Sequence, residues 1–168
     1  MTYDRFEDLP VWLEAAKLYE RVEDFLDRVA PWLRASFRDQ LERAVVSVSN
    51  NIAEGFERGT TNELLAFLYI ARGSSGEVRS MLCLLERRPG LKNFKSEITN
   101  LKSIAESCSR QLRAWADSLQ NSEIKGQRHL NDSVRREAAG RKRTKDFQAS
   151  LLANLPPDHP LRRTRSGN

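Results

Sequence analysis

Between residues 9 and 119, apolar side chains return every three or four positions, and no segment alternates with a period of two. A helix with 3.6 residues per turn brings such positions onto one side, whereas a half-buried strand needs every second position. From Leu9 to Val29 the apolar face is Val11, Ala15, Leu18, Val22, Phe25, Leu26 and Val29, and Pro31 stops the helix. A second face follows at Phe37, Leu41, Ala44, Val45, Val48, Ile52 and Gly55/Phe56, ending near Arg58-Gly59, with Gly59 expected as a left-handed cap. Thr60-Thr61-Asn62-Glu63 reads as a capping box, Thr60 at the N-cap and Glu63 three residues on. The third face is Leu64, Leu68, Ala71, Val78, Leu82 and Leu85, before Pro89-Gly90. The fourth is Ile98, Leu101, Ile104, Ala105, Cys108, Leu112, Trp115 and Leu119.

Each segment is roughly 20–27 residues, or ~30–40 Å at 1.5 Å per residue. Short joints make successive helices antiparallel neighbours. Residues 1–121 are therefore expected to be all-α, an up-down-up-down four-helix bundle. Residues 122–168 lose the periodicity. Arg135, Arg136, Arg141, Lys142, Arg143 and Lys145 cluster there, and Pro156, Pro157 and Pro160 follow. This reads as a basic, mostly flexible extension in which Phe147, Leu151, Leu152 and Leu155 make at most a turn or two of transient amphipathic helix.

Charge divides at the same boundary. The net charge of +5 is the sum of −1 over residues 1–121 (17 Lys and Arg against 18 Asp and Glu) and +6 over residues 122–168 (11 against 5). The basic character belongs to the tail, and the tail residues from Arg135 to Lys145 are the candidate nucleic-acid contacts.

Composition narrows the function. No apolar run approaches the roughly 18 residues a membrane-spanning helix needs, and acidic residues from Asp4 to Asp27 argue against a secretory leader at the start. With two cysteines and no disulfide framework, a cytoplasmic protein is expected. Both histidines, His129 and His159, lie in the tail. The body therefore lacks the Glu-x-x-His pairs of a di-iron bundle and the histidine of a Ser-His-Asp or Cys-His arrangement. Cys83 and Cys108 sit among apolar neighbours and are expected to pack as small hydrophobes. Gly73-Ser74-Ser75-Gly76 lacks the lysine of a phosphate-binding loop. No enzyme activity, metal, cofactor or small-molecule substrate is expected.

Two polar features do not fit a plain bundle. In the second segment Gln40, Arg43, Ser47, Asn51, Glu54 and Arg58 recur at helical spacing beside the apolar face, where they meet a neighbouring helix, another subunit or solvent. In the third, Glu77 falls on a wheel projection among Ile70, Met81 and Leu84. A carboxylate buried there needs a partner, expected from Arg43, Ser47 or Asn51. The small residues Gly73, Ser74, Ser75 and Gly76 would let the second helix approach. Arg43, Ser47, Asn51, Glu54, Ser74 and Glu77 thus form an expected structural polar network.

Phe6-Glu7-Asp8-Leu9-Pro10-Val11-Trp12, Gln40-Leu41-Glu42-Arg43-Ala44, Ser47-Val48, Asn51-Ile52-Ala53-Glu54-Gly55 and Ala71-Arg72-Gly73-Ser74-Ser75-Gly76-Glu77 resemble one family across residues 6–119. It comprises the four-helix-bundle proteins encoded by intervening sequences of bacterial 23S ribosomal RNA genes. The accessory variability determinant proteins of diversity-generating retroelements are structural relatives. The resemblance implies a bundle that assembles into a ring-like homopentamer without enzymatic activity. For the retroelement relatives it also implies binding to nucleic acid and to a reverse transcriptase. This body is charge-balanced where the retroelement proteins are markedly basic, and the basic tail lies outside the shared pattern.

Two readings follow. One is a non-enzymatic, oligomeric RNA-associated module that contacts RNA through basic tails, multiplied by the number of subunits. The other is a protein–protein scaffold or accessory subunit, for example of a reverse transcriptase, with Trp12, Tyr19, Val46 and Tyr69 as subunit contacts; Trp12 also lies at the edge of the core face.

Overall fold

The computed structural model describes residues 3–121 together with Gly140, Arg143, Thr144, Asp146, Phe147, Ser150 and Leu151. Four long helices make up the first set: α1 (Pro10–Val29), α2 (Ala35–Glu57), α3 (Thr61–Glu86) and α4 (Lys95–Gln120). Short 3₁₀ turns at Phe6–Asp8, Ala30–Trp32 and Pro89–Phe94 precede or join them, and no strand occurs among the described residues. The chain separates into the units Met1–Arg128 and His129–Asn168.

Local chemistry sets the helix limits. Pro10 opens α1 at its first turn, where a missing N–H breaks no helical bond, and the 3₁₀ turn containing Pro31 follows Val29. Thr60 caps α3: its Oγ1 accepts from the Glu63 N–H at 3.3 Å and donates to Glu63 Oε2 at 2.7 Å. Gly59 does not take the left-handed conformation expected of it, since no residue has positive φ among those described. Arg58 (φ −70°, ψ 145°) and Thr60 (φ −120°, ψ 153°) are both extended. The three-residue link passes straight from the end of α2 to the cap of α3, so the chain turns without a left-handed residue.

The core is built as the periodicity requires. All seven apolar residues expected on the face of α1 are buried, as are Leu41, Ala44, Val45, Val48, Ile52, Gly55 and Phe56 of α2. Leu64, Leu68, Ala71, Val78, Leu82 and Leu85 of α3 meet Ile98, Leu101, Ile104, Ala105, Cys108 and Leu112 of α4. Phe37, Trp115 and Leu119 are half-buried at the margin, and Ala116 takes the innermost position at that end of α4. Trp12 packs at the margin too, edge-on to Phe6 with 5.4 Å between ring centroids.

Cross-helix contacts run in opposite numerical sense. Gln40, Ser47 and Gly55 of α2 meet Glu77, Ser74 and Phe67 of α3. Glu86, Arg79 and Tyr69 of α3 meet Lys102, Glu106 and Gln120 of α4. Arg28 near the end of α1 pairs with Glu97 near the start of α4. At Gly55 α2 lies close against α3: a Cβ there would stand 2.7 Å from Phe67 Cβ and 3.1 Å from Leu64 Cδ1.

Candidate functional site

The polar stripe of α2 lies on the outer flank of its buried face, and α3 supplies the other half of the arrangement. Asn51 Nδ2 donates to Ser47 O at 2.7 Å and to Ser47 Oγ at 2.9 Å. Ser47 Oγ and Ser74 Oγ stand 2.9 Å apart, and Ser74 Oγ donates to Ile70 O at 3.1 Å. Ser74 has spent its one hydroxyl proton on that carbonyl, so Ser47 must be the donor between the two serines. The chain therefore has one direction: Asn51 to Ser47, Ser47 to Ser74, Ser74 to Ile70. Small hydroxyls at these positions let the two helices come close and satisfy each other.

The rest of the expected network divides. Glu54 pairs with Arg58 one turn on, and the Arg58 guanidinium lies 5.1 Å from the centre of the Phe67 ring, a cation–π contact. Glu77 does not join Arg43, Ser47 or Asn51. It is exposed, and its Oε1 accepts from Gln40 Nε2 at 3.0 Å. The apolar sector around it points outward: Ile70 and Leu84 are 51% and 55% exposed, while Met81 at its edge is buried. The cost of a buried carboxylate does not arise, and an amide at the lip of the α2–α3 groove is partner enough. Arg43 is exposed and makes no ion pair among the described residues.

Arg43 stands between two open grooves. One runs between α1 and α2 and is lined by Tyr19, Glu23, Glu42, Val46, Ser47, Asn50 and Asn51 besides Arg43; the other is lined by Gln40, Ala44, Ser47 and Glu77. In the first, burial and the neighbouring Glu42 carboxylate hold the Glu23 carboxyl above its usual range. Arg38 is occupied elsewhere, on Glu42 Oε1 at 2.6 Å and Asp27 Oδ1 at 3.1 Å. Among the described residues no three His, Cys, Asp or Glu side chains gather as a metal ion would need, and no histidine occurs between residues 3 and 121. These grooves offer amides, hydroxyls, the carboxylates of Glu23, Glu42 and Glu77, and the Arg43 guanidinium, which suit recognition by hydrogen bonding.

Sequence reasoning missed two elements. Ser75 is fully buried and donates to Ala105 O at 2.6 Å, fastening α3 to α4; its signal was its place in the Ala71–Val78–Leu82 face. Cys83 is exposed, contrary to the expectation that both cysteines pack inside. Cys108 does pack inside, where burial pushes its thiol up to about 12.

Among the tail candidates, Arg143 is exposed and helical, in a stretch where Thr144 Oγ1 donates to Gly140 O at 3.0 Å. Arg135, Arg136, Arg141, Lys142 and Lys145 lie outside the described residues. No described helix is long and apolar enough to cross a membrane.

Comparison with curated proteins finds no match. The model of one protein family does match, over residues 7–114, which takes in all of α1, α2 and α3 and most of α4. With the four-helix architecture and that coverage together, the chain belongs to the 23S rRNA-intervening sequence protein family.

Proposed function

We propose that the protein is a non-enzymatic, oligomeric binding module of the bacterial cytoplasm that associates with RNA. Its body is an antiparallel up-down-up-down bundle over residues 1–121, and residues 122–168 are its basic extension. The opposed cross-helix contacts support the first statement, and the partition of charge carries the functional one. A body near neutrality attached to a segment of +6 confines phosphate attraction to the tail. Arg135, Arg136, Arg141, Lys142, Arg143 and Lys145 are the contacts. A homopentamer, implied by the family resemblance, would present five tails to one strand and raise affinity without new contacts.

The test measures binding of a fluorescein-labelled single-stranded RNA by the full chain at several salt concentrations. Each phosphate contact on a single strand contributes about −0.7 to the slope of log K against log salt. Replacing Arg141, Lys142, Arg143 and Lys145 by Ala should flatten that slope by about 2–3 and weaken binding. An unchanged slope rejects the tail as the RNA contact.

The second reading, a protein–protein scaffold or accessory subunit without direct nucleic-acid contact, is favoured by exposed apolar side chains such as Leu13, Tyr19, Trp32 and Tyr69. It gains if RNA binding is absent while light scattering shows an oligomer.

A further inference from the structure

The outward face of α3 carries a second regular pattern. Glu63, Ala66, Ile70, Gly73, Glu77, Ser80, Leu84 and Arg87 are spaced alternately by three and four residues, and all eight are exposed. That is a heptad seam, the pattern by which one helix packs along another, and it lies opposite the face buried in the bundle. Large residues occupy one position of the repeat (Ile70, Glu77, Leu84) and small ones the other (Ala66, Gly73, Ser80). A Cβ added at Gly73 or at the adjacent Gly76 would meet nothing within 4 Å. The bundle leaves this surface bare, and Ile70 and Leu84 are among its most exposed large apolar residues.

We infer that this seam docks against the same seam of a second copy, with the two α3 helices antiparallel about a two-fold axis near residue 75. That register places Ala66 against Leu84, Ile70 against Ser80, and Gly73 against Glu77, each pair occurring twice. Every layer then sets a large residue opposite a small one, which fills the seam without collision. The ends complement in charge, because Glu63 of each copy meets Arg87 of the other. Glu77 faces a glycine, so its carboxylate keeps its bond to Gln40 at the edge of the seam. A parallel arrangement would instead stack Glu63 on Glu63, Glu77 on Glu77 and Arg87 on Arg87, three like-charge layers. The contact is isologous: it makes pairs, and it stands whether or not a ring forms elsewhere on the bundle.

The experiment uses the full chain. Sedimentation velocity of the wild type across a hundredfold concentration range should show a concentration-dependent rise in mass: a doubling if the chain is otherwise monomeric, association of rings if it is not. Ile70→Glu with Leu84→Glu should weaken that association at least tenfold while the helical circular dichroism is retained. Geometry is read in a Cys83→Ser background under mild oxidation. Ala66→Cys and Leu84→Cys combined should give disulfide-linked dimers, since the two positions lie ~27 Å apart within one helix and cannot join in one chain. Leu84→Cys alone should stay unlinked. Rapid cross-linking of Leu84→Cys alone would overturn the antiparallel register. A wild type whose mass never rises with concentration would overturn the docking. An Ile70→Glu, Leu84→Glu variant that keeps the wild-type mass at every concentration would also overturn it.

Discussion

Replacing Gly55 by Ala should destabilise the bundle, although alanine is the better helix former. In an open helical position, Gly→Ala gains about 0.5–1 kcal/mol from reduced backbone freedom in the unfolded chain. At Gly55 the new methyl would stand 2.7 Å from Phe67 Cβ and 3.1 Å from Leu64 Cδ1, against about 3.5–4.0 Å for carbon atoms in comfortable contact. The Leu64 methyl can rotate aside, but Phe67 Cβ is fixed to the backbone of α3. Relief therefore requires α2 and α3 to separate by close to 1 Å, at an overpacking cost of about 1–3 kcal/mol. Less the helix gain, the expected loss centres on about 1 kcal/mol, within a range of roughly 0–2.5 kcal/mol, and a loss of about 1 kcal/mol is a fall of roughly 3–5 °C in melting temperature. Gly76 is the control: it is helical, exposed and has open space where a Cβ would be, so Gly76→Ala should raise stability by about 0.5–1 kcal/mol. Urea melts followed by circular dichroism, at submicromolar chain concentration to keep intermolecular contacts out, measure both. Equal or greater stability of Gly55→Ala would refute the claim that contact at this glycine sets the helix spacing.

Three further outcomes are expected. Ser75→Ala removes the bond to Ala105 O, whose carbonyl retains its place in the α4 ladder, so the loss should be about 0.5–1.5 kcal/mol by urea denaturation; no change would remove Ser75 as a fastener. Ellman's reagent should titrate one thiol in the native protein and two in guanidinium, because Cys83 is exposed while burial raises the Cys108 thiol to about 12; two fast native thiols would contradict the packing of α4. The folded state raises the pKa of Glu23 through burial and the nearby Glu42 carboxylate, so it holds that proton more tightly than the unfolded chain does. Ionised Glu23 therefore costs stability at neutral pH, and Glu23→Gln should raise the melting temperature at pH 7. The advantage should shrink as pH falls through the raised pKa and vanish below the unfolded carboxylate range, and a pH-independent difference would refute that origin.

The fold was legible because α1, α2 and α4 each carry one apolar stripe, and one stripe leaves a single way to face the core. In α1 the buried set is the sequence pattern itself. The helix α3 is different: it has two apolar sectors, one around Leu68, Ala71 and Val78 and one around Ile70 and Leu84. Periodicity shows that Glu77 lies among apolar residues, but which sector meets α2 depends on rotation about the helix axis. That rotation is fixed only by packing, through Gly55 and Ser75. The same ambiguity misplaced Cys83 and hid Gln40 as the partner of Glu77. Ser47 and Asn51 stood out because they flank the unambiguous stripe of α2, and Ser74 because it lies in the run of small residues Gly73–Gly76 of α3. Gly59 misled for another reason: a glycine after a helix suggests a left-handed cap, but Thr60 must already be extended to cap α3. The basic residues of the tail rest on composition, and five of the six lie beyond what the structure describes.

The order in which the chain leaves the ribosome gives the short links a consequence. Ser47 meets Ser74 across 27 residues and Ser75 meets Ala105 across 30, so hairpins of successive helices can close locally as they emerge. The pairing of Arg28 with Glu97 spans 69 residues and waits until α4 has been made, with a larger loop-closure entropy. The α1–α4 edge is thus the last seam to shut in the nascent molecule. It is also where hydrogen exchange should find the earliest opening.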